Sequence, residues 1–169
     1  MSMSIARRGL VAVSLLAALA LPTAALAAAL DGTAGADTLI GTAEADTIHG
    51  LAGNDVINGL GGADLLYGDN GADTIRGGAG ADRIWGGNGP DRLYGETGND
   101  VIRGGYGNDV IRGGGGNDRI YAGYGNDVII VAYDKAADAV DCGPGWDVVT
   151  YGPGDIVGAN CERRIKVSE

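Results

Sequence analysis

An aspartate returns at every ninth residue, without a gap, at Asp37, Asp46, Asp55, Asp64, Asp73, Asp82, Asp91, Asp100, Asp109, Asp118 and Asp127. Written from Gly32 to Ile130, the eleven nonapeptides have glycine at position one in ten units and at position four in ten. Position six is aspartate in all, and position eight is leucine or isoleucine in all. Four columns in phase define a repeat architecture, in which each unit packs mainly on its neighbours along a stack. The 33 glycines of the 169 residues fall mostly in these columns. That much glycine, with no apolar period of 3.6 residues, excludes a helical fold.

Each column has a physical reason. Glycine at positions one and four permits positive φ and close backbone approach, so six residues can form a tight turn with carbonyls directed at one point. The aspartate at six places a carboxylate beside them. Positions seven to nine predict a short strand whose middle side chain, at position eight, faces opposite to its neighbours and is buried. Positions seven and nine are mostly Thr, Arg, Val and Tyr, which suit an outward strand surface.

One buried leucine or isoleucine per nine residues is too little to offset the ordering entropy of a glycine-rich unit, so something else must hold the turns. If two units form one coil, aspartates eighteen apart stack about 5 Å from each other, and each neighbouring pair repels by about 3 kcal/mol at an effective dielectric of 20. A hard divalent cation between successive turns reverses that sign. Carboxylate and carbonyl oxygens in a flexible cage favour calcium over magnesium, which demands stricter octahedral geometry.

These units resemble the hemolysin-type calcium-binding repeat, GGxGxDxUx, of the RTX family, a pattern known to form calcium-binding β-helices. The resemblance covers Gly32 to Ile130, 99 residues. It implies an all-β chain, a right-handed parallel β-roll (β-solenoid) with two nonapeptides per coil and calcium held between stacked turns by position-six carboxylates and main-chain carbonyls. One edge then carries Asp37, Asp55, Asp73, Asp91, Asp109 and Asp127, and the other Asp46, Asp64, Asp82, Asp100 and Asp118, with nine calcium ions as the counting limit. Glu44 replaces a position-four glycine, and position two is glycine only at Gly78, Gly87, Gly105, Gly114 and Gly123. The strongest sites are therefore expected from Asp82 to Asp127, with the early turns weak or empty.

Flanking segments complete the organisation. Arg7 and Arg8, the apolar run Leu10 to Leu21 and the small residues of Ala25-Leu26-Ala27 read as a signal peptide over 1–27. The run is too short and too soon broken, by Pro22, for a membrane anchor, so a soluble secreted chain without membrane insertion is expected. Residues 28–130 form the roll and 131–169 a C-terminal cap, in which CGPGWDVVT repeats the pattern once more with Asp147 and Val149 at positions six and eight. Terminal repeats need such covering groups. Cys142 and Cys161, the only cysteines, are expected to form a disulfide in an exported chain.

The formal charge of −10 disfavours nucleic acid and anionic membranes as partners and suits cations. One histidine, four serines and two cysteines leave almost no material for nucleophilic triads or multi-histidine zinc sites, and roll plus cap leave no stretch for a catalytic domain, so no enzyme is expected. His49, Tyr67, Trp85, Arg103 and Tyr121 share position nine on one face. They read as a ladder that stabilises the sheet, the alternative being a glycan- or partner-binding stripe of an adhesion module in which calcium is only structural. Arginines 76, 83, 92, 103, 112 and 119 read as offsets to the acidic roll, with an anion site as the alternative. The favoured function is a secreted protein whose repeats fold on binding calcium.

Overall fold

The computed structural model describes residues 27–131 and 134–167. The leader expected over 1–27 lies outside them but for its last residue.

In chain order the strands are β1 (Ala29–Asp31), β2 (Thr38–Ile40), β3 (Thr47–His49), β4 (Val56–Gly61), β5 (Leu65–Asn70), β6 (Thr74–Ala79), β7 (Arg83–Asn88) and β8 (Arg92–Thr97). They continue with β9 (Val101–Tyr106), β10 (Val110–Gly115), β11 (Arg119–Tyr124), β12 (Val128–Ile130), β13 (Ala139–Asp141), β14 (Val148–Tyr151), β15 (Ile156–Val157) and β16 (Arg163–Lys166). Among the described residues, odd-numbered strands make one parallel eight-stranded sheet and even-numbered strands the other. The chain thus alternates between two facing sheets in a solenoid of about eight turns.

Register within the regular region is eighteen residues, as in Leu66↔Ile84↔Ile102 in one sheet and Ile57↔Ile75↔Leu93 in the other. Position eight forms the core: every leucine and isoleucine at that position, from Leu39 to Ile129, is at most 1 % exposed. This interior is one side chain deep from each sheet, so no larger aromatic residue would fit without parting the sheets.

The strands are longer than positions seven to nine alone. From β4 to β11 each spans six residues and runs through position three of the following unit. The reason is that the turn backbones also pair across coils, as when the Gly50 amide donates to the Tyr67 carbonyl and the Asn70 amide to the Leu51 carbonyl. A coil whose turn groups are satisfied by the next coil is ladder throughout.

The C-terminal cap is built as further coils. β13 and β15 extend the odd sheet, and β14 and β16 the even sheet. Val140 and Val149 continue the core columns, but the step lengthens from eighteen to twenty residues, as in Ile120↔Val140 and Ile129↔Val149. Cys142 and Cys161 form a disulfide with Cα atoms 5.3 Å apart, both buried inside this end. The exposed last strand carries Arg163, Arg164 and Lys166, charges that discourage pairing with another chain at an open edge. Among the described residues no helix is long and apolar enough to cross a membrane.

Candidate metal sites along the turns

All eleven position-six aspartates are buried, Asp37 at 6 % exposure and the rest at 2 % or less. Their two carboxylate oxygens have different fates. Oδ1 accepts the backbone N–H of the aspartate one coil earlier: Asp37 donates to Asp55, Asp55 to Asp73, Asp73 to Asp91 and Asp91 to Asp109, at 2.8 to 2.9 Å. The opposite edge repeats this from Asp46 through Asp64, Asp82 and Asp100 to Asp118. Oδ2 has no partner at Asp55, Asp64, Asp73, Asp82, Asp91, Asp100, Asp109, Asp118 and Asp127. A buried carboxylate oxygen without a donor costs several kcal/mol unless a cation or proton meets it.

Glycine at position one keeps side-chain atoms away from that oxygen. A Cβ built on Gly86 would lie 2.4 Å from Asp91 Oδ2 and 2.6 Å from the carbonyl oxygen of Gly104, one coil on. The same pair of oxygens crowds a Cβ on Gly50, Gly59, Gly68, Gly77, Gly95 and Gly104. A carboxylate oxygen and a main-chain carbonyl therefore face one cradle that any side chain would fill. Among the described residues no three acidic, histidine or cysteine side chains converge, so a cation in this cradle must draw on backbone carbonyls. Such a donor set is all hard oxygen and suits calcium.

Position two has its own geometry. It is left-handed from the third unit onward, at Leu51, Leu60, Asp69, Gly78, Gly87, Glu96, Gly105, Gly114 and Gly123, with φ from 69° to 114°. Glycine is therefore not a condition for the turn, although Leu60 and its like carry strain that glycine lacks. Thr33 and Thr42 are not in this conformation, which β-branching disfavours. Instead the Thr33 amide and hydroxyl donate to Asp37 Oδ2 at 2.6 and 2.8 Å, and the Thr42 amide donates to Asp46 Oδ2. The first two turns thus satisfy their carboxylates from within. The boundary between satisfied and unsatisfied turns falls at Asp55.

Burial raises the carboxyl pKa throughout the open column. Asp64, Asp73, Asp82, Asp100, Asp109 and Asp127 are pushed up to about 6. Asp91 and Asp118 reach about 7, burial again leading and the carboxylates one coil away adding to it. The column resists holding its negative charge without a counter-ion.

Sequence reasoning missed three features. Asp138 is fully buried, leaves Oδ2 without a partner, and accepts the Asp118 amide at 2.8 Å, so it belongs to the column. Its signal was the Asp-x-Val spacing of Asp138 and Val140, hidden by the loss of glycine and the two extra residues. Asp147, noted as a repeat position but not as a ligand candidate, behaves likewise. The third is a position-five ladder: Asn54, Asn99, Asn108, Asn117 and Asn126 accept the amide of position five one coil on, at 2.8 to 2.9 Å. The recurrent Gly-Asn-Asp triplet carried that signal.

Position nine of the odd sheet forms the expected column. His49 stacks on Tyr67 with ring centroids 4.3 Å apart, Tyr67 on Trp85 at 4.6 Å, and the Arg103 guanidinium lies 5.7 Å from Trp85 and 4.9 Å from Tyr121. These contacts use both faces of Tyr67 and Trp85, so the column presents ring edges to solvent. A sugar stacking on a ring face would have to displace a neighbour.

A parallel β-solenoid whose turns align buried carboxylates with main-chain carbonyls is a repeat protein built for hard divalent cations. The family model of the RTX calcium-binding nonapeptide repeat matches this chain in four copies, over residues 31–66, 58–93, 67–102 and 103–130. The chain belongs to that family and is a calcium-binding repeat protein. No curated protein matches it.

Proposed function

We propose that the chain is secreted and that its roll forms when calcium binds between stacked turns. The observation that carries this reading is the run of eleven buried Oδ2 atoms, at Asp55, Asp64, Asp73, Asp82, Asp91, Asp100, Asp109, Asp118, Asp127, Asp138 and Asp147, for which the protein supplies no donor. These carboxylates and the position-one carbonyls would hold the ions, whereas Asp37 and Asp46 serve a metal-independent end.

Calcium supplies the positive charge that turns a column of mutual repulsion into attraction. Low calcium inside a cell leaves an acidic, flexible chain, and millimolar calcium outside drives folding by mass action. RTX repeats are typical of extracellular bacterial proteins, which supports this location. We propose no catalytic role, because the carboxylates that could act as acid or base are committed to the turns.

Circular dichroism of the purified chain in excess EGTA and again in 10 mM calcium tests the proposal. At pH 7.5 a strand spectrum that appears only with calcium, in a cooperative titration, is expected. Equal strand content and equal thermal stability in EGTA would overturn it.

A further inference from the structure

We propose that the outer face of the odd sheet carries a notch for a phosphate monoester, formed by Arg83, Arg103 and Arg119. The notch has a volume of about 400 Å³ and is lined by Arg83, Trp85, Val101, Arg103, Arg119 and Tyr121. It arises from register. Arg83, Val101 and Arg119 are lateral neighbours on β7, β9 and β11, and so are Trp85, Arg103 and Tyr121. The short Val101 therefore lies between two long arginines whose stems are about 10 Å apart, two strand spacings.

Arg103 is fixed in place. Its guanidinium is sandwiched between the rings of Trp85 and Tyr121. Stacking occupies its two faces and leaves its N–H donors, which lie in its plane, for a partner at the edge. Among the described residues the ion pairs are His49 with Asp69 and Arg76 with Glu96, so none of the three notch arginines meets a carboxylate. The even sheet differs: Arg76 is drawn to Glu96 at 3.8 Å and to the Tyr94 ring at 5.2 Å.

Three uncompensated guanidiniums around one notch match a dianionic tetrahedral oxyanion better than a single carboxylate, and guanidinium forms paired hydrogen bonds to such oxygens. The overall charge does not oppose this in the calcium-loaded roll, on which the inference rests. From Asp31 onward the chain has 22 acidic and 10 basic side chains, and six divalent ions offset that excess. The aspartates responsible lie inside the turns, whereas the notch is on the open sheet face.

The test is isothermal titration of the full chain in 10 mM calcium with glucose 6-phosphate, and in parallel with glucose 6-sulfate, glucuronate and glucose. Saturable binding of glucose 6-phosphate is expected, at least about tenfold tighter than that of either monoanion. Arg83→Gln with Arg119→Gln should weaken it at least about tenfold while leaving the calcium titration and the strand spectrum unchanged, and Arg92→Gln with Arg112→Gln on the even sheet should leave it intact. Absence of saturation, equal affinity for the monoanions, or equal loss in both double variants would overturn the proposal. A chain that takes up no calcium overturns both readings, whereas one that takes up calcium but no ester overturns this one alone.

Discussion

Gly86→Ala isolates the cradle from every other feature of the roll. Gly86 is buried at position one, its φ is not in the left-handed region, and the alanine backbone is therefore unstrained. The cost comes from the methyl group, 2.4 Å from Asp91 Oδ2 and 2.6 Å from the Gly104 carbonyl oxygen, where ordinary contact begins near 3.4 Å. One of the two oxygens belongs to the backbone ladder and cannot swing away, so overpacking should cost about 1 to 3 kcal/mol. The same methyl separates the two oxygens from a shared ion. For a site with a dissociation constant near 10⁻⁴ M, typical of extracellular calcium modules, losing the ion in 10 mM calcium removes about a further 2.7 kcal/mol. The loaded protein should thus lose about 4 to 6 kcal/mol and at least one bound ion. Gly115→Ala, where an added Cβ meets nothing within 4 Å, is the matched control and should stay within about 0.5 kcal/mol of the parent. Urea denaturation in calcium gives the stability, and isothermal titration the ion count. If Gly86→Ala binds the parent number of ions and unfolds at the parent midpoint, the cradle is not where calcium is held.

The pH dependence follows from the raised carboxyls. In the metal-free roll Asp91 and Asp118 hold protons up to about pH 7 and Asp64, Asp73 and Asp82 up to about 6, whereas an unfolded aspartate releases its proton near 3.9. The folded state binds more protons across that window, so strand content in EGTA should rise as pH falls from 7 toward 4, and a chain equally unfolded throughout would refute the assignment. Calcium competes with those protons, so its apparent affinity should fall between pH 7.5 and 5.5 in a titration at each pH. Asp46→Asn should leave the calcium count unchanged, because Thr42 already serves that carboxylate, whereas Asp91→Asn should lower it. Cys142→Ser with Cys161→Ser opens a link between residues 19 apart and should lower stability in calcium by about 3 kcal/mol, read from urea denaturation.

The roll itself was legible because its constraints repeat. A one-in-nine carboxylate, a buried aliphatic two residues later and glycines in phase define a turn and a strand locally, and eleven copies leave one way to stack them. Val149 and Asp147 could be placed in the same columns from CGPGWDVVT alone. The cysteine pairing followed from count and expected export, and the disulfide is present. Glycine content at position two places the strongest sites from Asp82 to Asp127, while the left-handed backbone at that position is already present at Leu51, Leu60 and Asp69, as at Gly78. A regular ladder on both sides evidently outweighs the strain of one residue.

The amino-acid sequence by itself determined the repeat, the inward aliphatic column, the acidic column and the preference for hard cations, since all of these depend on residues within a single nonapeptide. Tertiary structure alone decided which carboxylate oxygens lack a donor, because along the column from Asp46 to Asp147 the Oδ1 is served by an amide one coil away. It also decided that Asp138 joins the column across a twenty-residue coil and that Arg103 is clamped between two rings. Those outcomes depend on contacts between residues about eighteen apart, whose geometry exists only once the coils are stacked.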